Sequence, residues 1–416
     1  MTLFVVGIGQ AGGAILNEMV DPTQFKAFVP ELQPLAINST ARDMERLGNL
    51  KRSEWAGLSP KHGIVAGATE GFENMLSAGF GKDPQQAANV MKPHVNKIAA
   101  FIANYLGGTL VEGGKDGDKG DEDDGESPLR QAHIRDAILI VGLGGGTGAG
   151  TAHLIAKAIK RASNTPTRII VVGILPATYT EESQSTATNV QAANALFAIE
   201  NLEKEVDGFI LLDNERLAFT QDVDGHFPDY NRYAARALND LLSAHRLEGL
   251  DVRSEEANPK TPDLADIVTA LRLGQSRTPG FAAIGWAAEP TKGYFGHLFP
   301  FLSPHRVDAA GLLELAMRKL SINGLELDTT KAERTFSVLR VPQPMAKRAG
   351  GMPRTFEMQE RLSLVSNTQP FNCTTTGKRY LATLTVLFTF PRRDLRQLVE
   401  LERLAHGHGT NEGLLV

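Results

Sequence analysis

The sequence predicts an α/β protein: a doubly wound parallel-sheet domain, a central helix, and a smaller α+β domain at the C-terminal end. Three observations carry that expectation. In the first two-thirds of the chain, short β-branched runs alternate with helical patterns, the order imposed by a parallel sheet covered by helices on both faces. Two of those runs end in glycine-rich turns that open helices. In the last third the strand patterns alternate apolar and polar residues more cleanly, as in a layer packed on one face.

Taken in order, the strand patterns of the first part are residues 3–6 (LFVV), 34–38 (PLAIN), 137–142 (AILIVG), 168–175 (RIIVVGIL) and 208–214 (GFILLDN). They are apolar at both alternating positions, so they read as buried central strands, and ligands of doubly wound folds sit at the carboxyl ends of such strands. Met91, Val95, Ile98, Ile102 and Tyr105 recur at helical spacing, as do Leu154, Ala158 and Ile159; both stripes read as core. Residues 107–131 are a Gly- and Asp-rich insert without periodicity. Its Asp spacing faintly resembles a calcium loop, but the ligand order and closing Glu do not fit, so it reads as a solvated loop without chemistry. A long amphipathic helix is expected near 230–246, a polar loop over 248–262, and a helix over 263–271 (DLADIVTAL). Strand patterns follow at 281–288, 335–341, 361–366 (RLSLVS) and 380–390, with helices at 309–319 and 393–406. No repeat of 20 to 50 residues is visible.

Composition narrows the function. The formal net charge of −5 provides no bulk positive field, which argues against a general nucleic-acid binder. The single cysteine, Cys373, excludes an internal disulfide framework and a cysteine-cluster zinc site. The longest apolar stretches, 138–143 and 169–175, fall far short of the roughly 20 residues that cross a bilayer, so no membrane span is expected. The N-terminus runs into a strand pattern without a basic region or apolar signal core, which reads as cytoplasmic.

Two glycine loops carry chemistry. In GIGQAGG, Gly7, Gly9 and Gly12 satisfy G-x-G-x-x-G between a strand and a helix, a weak signal for a phosphate at a helix N-terminus. The NAD-dependent oxidoreductase reading of this turn needs an acid at the end of the second strand, yet AINST carries none before Asp43. The second loop, GLGGGTGAGT over 142–151, again joins a buried strand to a helix and offers a run of backbone N–H groups to anionic oxygens. A glycine-rich turn can serve only to make a tight connection, but that explains a ten-residue run with six glycines poorly. No G-x-x-x-x-G-K-[S/T] motif occurs, which excludes a P-loop NTPase.

These residues resemble the tubulin/FtsZ superfamily over most of the chain. GGGTGAG (144–150) is similar to its signature loop, GIGQAGG to its first loop, AINST to its second, with Thr40 where bacterial FtsZ has Asp, and GIVAGATEGF (63–72) to its third. The resemblance implies GTP or GDP with Mg²⁺. It assigns the phosphates to Gly9, Gln10, Ala11 and Gly12, to Ala66, Gly67, Ala68 and Thr69, and to Gly144, Gly145, Gly146, Thr147 and Gly148. The metal would be held by phosphates and water near Gln10, without direct side-chain ligation. ILPATYTEES resembles the fifth loop, giving Glu181 or Glu182 a ribose contact, and LLDNERL the sixth, giving Asn214 a guanine contact. Phe227 and Asn231 stand at i and i+4, so one helix face can stack on and pair with a base; Asn239 is the alternative, but the residue four before it is Ala235. TPDLADIV (261–268) resembles the catalytic loop, in which Asp263 and Asp266 would polarise water at the nucleotide of a neighbouring subunit, although Thr261 replaces the family's Asn. Read from chemistry alone, the two carboxylates are N-terminal dipole partners of a helix.

Spacing around Asn194, Leu196, Glu200, Asp207 and Gly208 looks most like the archaeal FtsZ-like group called CetZ. The resemblance implies a GTP-binding domain at 1–226, a central helix and loop at 227–262, and a C-terminal domain at 263–416. It implies a cytoskeletal GTPase that polymerises head to tail and hydrolyses GTP at a shared site, with a role in cell shape. A filament scaffold with little or no hydrolysis, and an FtsZ-like division protein, are the alternatives.

Overall fold

The computed structural model describes residues 3–21, 31–77, 79–110, 130–177, 186–214, 223–245, 262–274, 278–290, 307–322, 327–342, 355–367, 371–377 and 381–412. Contacts group the chain into two compact units. The first comprises Met1–Val20, Pro30–Ile169 and Asn194–Val206; the second comprises Asp21–Val29, Ile170–Ala193 and Asp207–Val416.

The first unit holds β1 (Leu3–Ile8), β2 (Leu32–Asn38), β3 (Trp55–Ser59), β4 (Gly63–Ala66), β5 (Thr109–Leu110), β6 (Arg130–Gln131) and β7 (Asp136–Gly142). Its sheet runs β7-β1-β2-β3-β4, parallel except for the β3–β4 hairpin. β1 and β7 lie inside this sheet, and Val5, Val6, Ile8, Leu139, Ile140 and Val141 are fully buried, as runs apolar at both alternating positions require. The helix Gly9–Met19 packs on β1, β2 and β7, while Pro84–Met91 and Val95–Tyr105 pack on the helix Gly146–Ala162. Buried Asp136 receives two hydrogen bonds from the Arg168 guanidinium, at 2.6 and 2.9 Å, so its charge is paired where it is desolvated. The short β5–β6 ribbon joins the two ends of the expected insert, whose residues 111–129 lie outside the described residues.

The second unit holds β8 (Arg168–Leu175, from Ile170 onward), β9 (Gly208–Asp213), β10 (Arg272–Leu273), β11 (Thr278–Pro279), β12 (Phe281–Pro290), β13 (Arg334–Pro342), β14 (Phe371–Gly377) and β15 (Leu381–Phe390). Its sheet order is β14-β13-β15-β12-β9-β8. The β8, β9 and β12 neighbours are parallel, β15 is antiparallel to both β12 and β13, and β14 is parallel to β13. Here the helix Val223–Leu242 packs on β12 and β15, and its Tyr233 hydroxyl donates to Lys319 O and accepts the Trp286 amide. The Asp240 carboxylate of this helix accepts from Trp286 Nε1 at 2.9 Å and pairs with Arg340 at 2.8 Å.

Several elements differ from expectation. RLSLVS, expected as a strand, is the end of a helix, Thr355–Ser363, and the turn after it. Alternation there is not one face, because Leu362 is fully buried while Leu364 is 77% exposed. The strong helix formers Glu357, Met358, Gln359, Glu360 and Arg361 carry the helix into the apparent strand. The long helix begins seven residues earlier than expected, at Val223, and ends at Leu242. The last helix is Arg396–Glu412, preceded by a 3-10 turn at Arg392–Asp394.

The neutral state of His153 is built into the first unit. It stands on the Gly146–Ala162 helix, 8% exposed, with its ring edge-on to Phe197 at 6.2 Å. Burial, then the nearby Lys157 charge, pushes its pKa down to about 4, with Glu205 opposing and Lys204 adding to the shift. Because the folded value lies below the unfolded one of about 6.5, the unfolded chain gains a proton that the folded chain refuses, and stability is lost as pH falls from about 6.5 toward 4. Between pH 7 and pH 5 this single group should remove about 2 kcal/mol. Urea unfolding at both pH values checks it: the pH difference should shrink by about that amount in His153→Gln, and an equal pH response in both proteins would refute the assignment.

Candidate functional site

Two helix N-termini of the first unit meet at the carboxyl ends of β1 and β7. The first turn closes because glycine permits it: Gly9 sits at φ +72°, and a Cβ on Gly12 would collide with Ile140 O of β7. Across the junction, a Cβ on Gly9 would lie 3.6 Å from Gly148 N, so the two turns approach backbone to backbone. Gly9, Ala11, Gly144 and Thr147 are half-buried there, Gln10 and Gly145 exposed, and Gly12, Gly146 and Gly148 buried.

These two helices start differently from the helices that are capped by Asp. The helices Pro84–Met91, Leu264–Leu271 and Ala309–Arg318 are capped by Asp83, Asp263 and Asp308, whose carboxylates accept backbone N–H bonds. The helices Gly9–Met19 and Gly146–Ala162 have Ile8 and Gly145 at the cap position, no side-chain cap bond, and no acidic residue in the first turn. Each leaves first-turn N–H groups and the positive end of its dipole available, which is the physical requirement for an anion site. Gly145 has φ −92° and ψ 171°, and a Cβ there would meet nothing within 4 Å, so it faces open space at this point.

The glycines of the signature loop therefore divide by role. A Cβ on Gly146 would lie 2.9 Å from Lys82 Cα and 3.0 Å from Asp83 N, and one on Gly150 2.4 Å or more from Pro84 O and Ala87. These two glycines let the start of the Pro84–Met91 helix dock on the Gly146–Ala162 helix. The second loop is tied in by the Ser39 hydroxyl, 2.7 Å from Thr147 Oγ1. Asp43 accepts from Thr40 Oγ1 at 2.7 Å and from Asn38 Nδ2 at 3.2 Å, while Asn38 Oδ1 accepts from Ser39 N.

The stretch expected to act as the third loop begins at the end of the β3–β4 hairpin. Ala66 ends β4, Gly67 N donates to Trp55 O at 2.8 Å, Thr69 N donates to Ala66 O, and Gly67 packs on Arg52 and Trp55. Ala68 and Thr69 are exposed beside this hairpin. A segment brought against Gly146 and Thr40 is Gly79–Asp83, in which Gly79, Gly81 and Lys82 all have positive φ. A signal for it is in the sequence: AGFGKDP places two glycines just before a Pro-opened, Asp-capped helix.

In the second unit, Asn214 follows β9 and donates its N–H toward Leu175 O at 3.4 Å, while Tyr230 Oη donates to Asp213 O at 3.2 Å. Phe227 and Asn231 both fall on the helix Val223–Leu242, with Asn231 half-buried, and Asn239, eight residues on, is buried. Asp263 and Asp266 form a capping box: Asp263 Oδ1 accepts from Asp266 N, and Asp266 Oδ2 from Asp263 N, both at 3.0 Å. One oxygen of each carboxylate is used in this way. Glu181 and Glu182, Thr261 and most of the 248–262 loop lie outside the described residues. Among the described residues no helix is long and apolar enough to cross a membrane.

Comparison with known proteins bears on the family and the fold. The model for "Tubulin/FtsZ family, GTPase domain" matches residues 2–220. The chain is 26% identical over 356 residues to the tubulin-like protein CetZ3 of Haloferax volcanii, covering 84% of this chain and 78% of that protein. Among solved structures, a GTPγS-bound protofilament of CetZ2 from Haloferax volcanii superimposes with a TM-score of 0.68 at 18% identity, covering 99% of this chain and all of that one. FtsZ of M. jannaschii gives 0.59 at 17% identity, over 93% and 88% of the two chains. With more than half its length matched by the family's model, and with the glycine loops at the ends of parallel strands, this chain belongs to the Tubulin/FtsZ family.

Proposed function

We propose that this protein is a GTPase that assembles head to tail into filaments and turns over GTP at a site completed by the next subunit. The observation that carries the reading is the pair of helix N-termini at Gly9 and Gly145, uncapped and touching, in a chain that caps other helices with Asp. Phosphate oxygens would take the caps' place, held by the N–H groups of Gly9, Gln10, Ala11 and Gly12 and of Gly144, Gly145, Gly146, Thr147 and Gly148. The contact with Gly146 favours Gly79–Asp83, rather than Ala66, Gly67, Ala68 and Thr69, as the segment beside the terminal phosphate. Asn214, Phe227 and Asn231 would recognise guanine, and Glu181 or Glu182 the ribose. The functional division proposed is 1–226 for the nucleotide, 227–262 for the central helix and loop, and 263–416 for the C-terminal domain.

Mg²⁺ would be bound by phosphate oxygens and water near Gln10, without direct side-chain ligation. Such an ion neutralises charge on the phosphates. Asp263 and Asp266 would orient and deprotonate water at a neighbour's nucleotide with the oxygens that the capping box leaves over. A head-to-tail contact is heterologous and does not close, so it propagates into filaments in the cytoplasm. The CetZ resemblance favours cell shape over division as the process served. The capping box gives specific support to a second reading, a filament scaffold in which both acids only start a helix.

Guanine specificity is the first test: calorimetric titration should give tight binding of GTP and GDP and weak binding of ATP, and equal affinities would sink the base assignment. Gly145→Glu should abolish nucleotide binding with little change in melting temperature, because the side chain enters open space where the phosphate is proposed to bind. Gly146→Val, by contrast, should destabilise the fold through Lys82 and Asp83.

Asp263→Asn and Asp266→Asn separate catalysis from capping, since an amide oxygen still caps a helix but cannot accept a proton. Each should retain stability and GTP binding while turnover in assembled protein falls about 10²–10⁴-fold. Phosphate release at the wild-type rate from both variants would refute the catalytic role of the acids, and no phosphate release from the assembled wild-type chain would establish the scaffold reading. Asp263→Ala should in addition cost about 1 kcal/mol of stability.

A further inference from the structure

Asn194 is a buried polar residue, 5% exposed, on the helix Thr186–Leu202, and no role in nucleotide chemistry has yet been given to it. Its Nδ2 donates to Lys82 O at 2.8 Å and to Gly144 O at 3.2 Å. Both acceptors are backbone carbonyls, so only an NH₂ group satisfies them; a carboxylate in the same volume would repel both. The two carbonyls belong to different parts of the site. Gly144 opens the signature loop, and Lys82 lies in the segment Gly79–Asp83 that touches Gly146.

Lys82 is also the one non-glycine among the described residues with positive φ, +62°. A lysine backbone in the left-handed region is strained and persists only where its surroundings hold it. The Lys82 side chain is exposed, so the hold must come through the backbone: Asn194 binds the carbonyl, and Gly146 allows the Cα to pack against it. Asp83 follows at once and caps the Pro84–Met91 helix through Gln86 N at 2.8 Å.

We propose that Asn194 is a positioning residue, a two-donor latch that locks the Gly79–Asp83 segment to the signature loop and thereby sets selectivity for the nucleoside triphosphate over the diphosphate. This rests on the reading of Gly79–Asp83 as the segment beside the terminal phosphate. A latch on that segment alters binding of the ligand that carries the third phosphate and leaves the shared part of the cradle intact.

The test measures GTPγS and GDP affinity by calorimetry in the wild-type chain, Asn194→Ala, Asn194→Asp and Lys82→Val. It also measures amide hydrogen exchange over residues 79–91 in each. Asn194→Ala and Asn194→Asp should weaken GTPγS about tenfold, as expected for two lost hydrogen bonds, with GDP affinity unchanged and exchange over 79–91 accelerated. Lys82→Val attacks the same backbone from an exposed position, where a β-branched residue resists positive φ without touching the core; it should reproduce the selective loss even if the Asn194 variants fold poorly. A wild-type ratio of GTPγS to GDP affinity in Lys82→Val and in the folded Asn194 variants would overturn the latch. So would equal losses for both nucleotides, which mark a merely structural role. If the wild-type chain binds neither nucleotide, the site reading falls and takes the latch with it, a failure distinguishable because the wild-type chain is measured alongside.

Discussion

The site of the first unit depends on two backbones approaching without side chains between them. Gly9 faces Gly148, Gly12 lies against Ile140 O, and Gly146 faces Lys82 and Asp83. Any Cβ at Gly12 or Gly146 would push apart elements whose positions are otherwise fixed by the sheet, since β1 and β7 are paired in register from Phe4–Ala137 to Ile8–Val141. The sheet sets where the two helices begin, and the missing side chains set how near their first N–H groups come. The proposed anion binding would then follow from leaving those groups uncapped.

That arrangement has a local cost. Three glycines in the first turns of the Gly146–Ala162 helix each give up about 1 kcal/mol of helix propensity relative to alanine. The loss is offset by tertiary packing: Ala149, Ala152, Ile155, Ala156, Ala158 and Ile159 are fully buried, and the helices Pro84–Met91 and Val95–Tyr105 both lie on this one. Gly146 and Gly150 are needed for the close approach of Lys82 and Asp83 and of Pro84 and Ala87, respectively. A turn required only for a tight connection would not need glycine at positions where a neighbouring helix docks.

The central strands were legible because burial on both faces leaves a continuous apolar run, and β1, β7, β8 and β9 start within one residue of their expected positions. Edge and late elements were not. β3 and β4 are short and contain Gly57 and Gly63, residues that disfavour strands, so only pairing with β2 reveals them. RLSLVS misled because alternation over six residues cannot outvote four helix formers just upstream, Glu357 to Glu360. The glycine loops could be found from the sequence because a cradle needs glycine. The segment Gly79–Asp83 could not be assigned in the same way, because what marks it is contact with Gly146 and a hydrogen bond from Asn194, more than 100 residues away in the chain. The pairing of Asp263 with Asp266 was legible as a helix start, and the structure adds that each acid commits one oxygen to the other's backbone.

A net charge of −5 and a site for a polyphosphate are compatible for a reason of range. At physiological salt, charges separated by more than about 8 Å in solvent are largely screened, so the overall balance of the chain has little influence on an anion in a cleft. What acts there is the partial charge of each helix start, about half an elementary charge, with N–H groups aimed at the ligand. Such a source works only within the first turn, where neither of these two helices carries an acid. A long polyanion needs a field spread along its length, whereas the phosphate chain of the proposed ligand would need only two helix ends that meet.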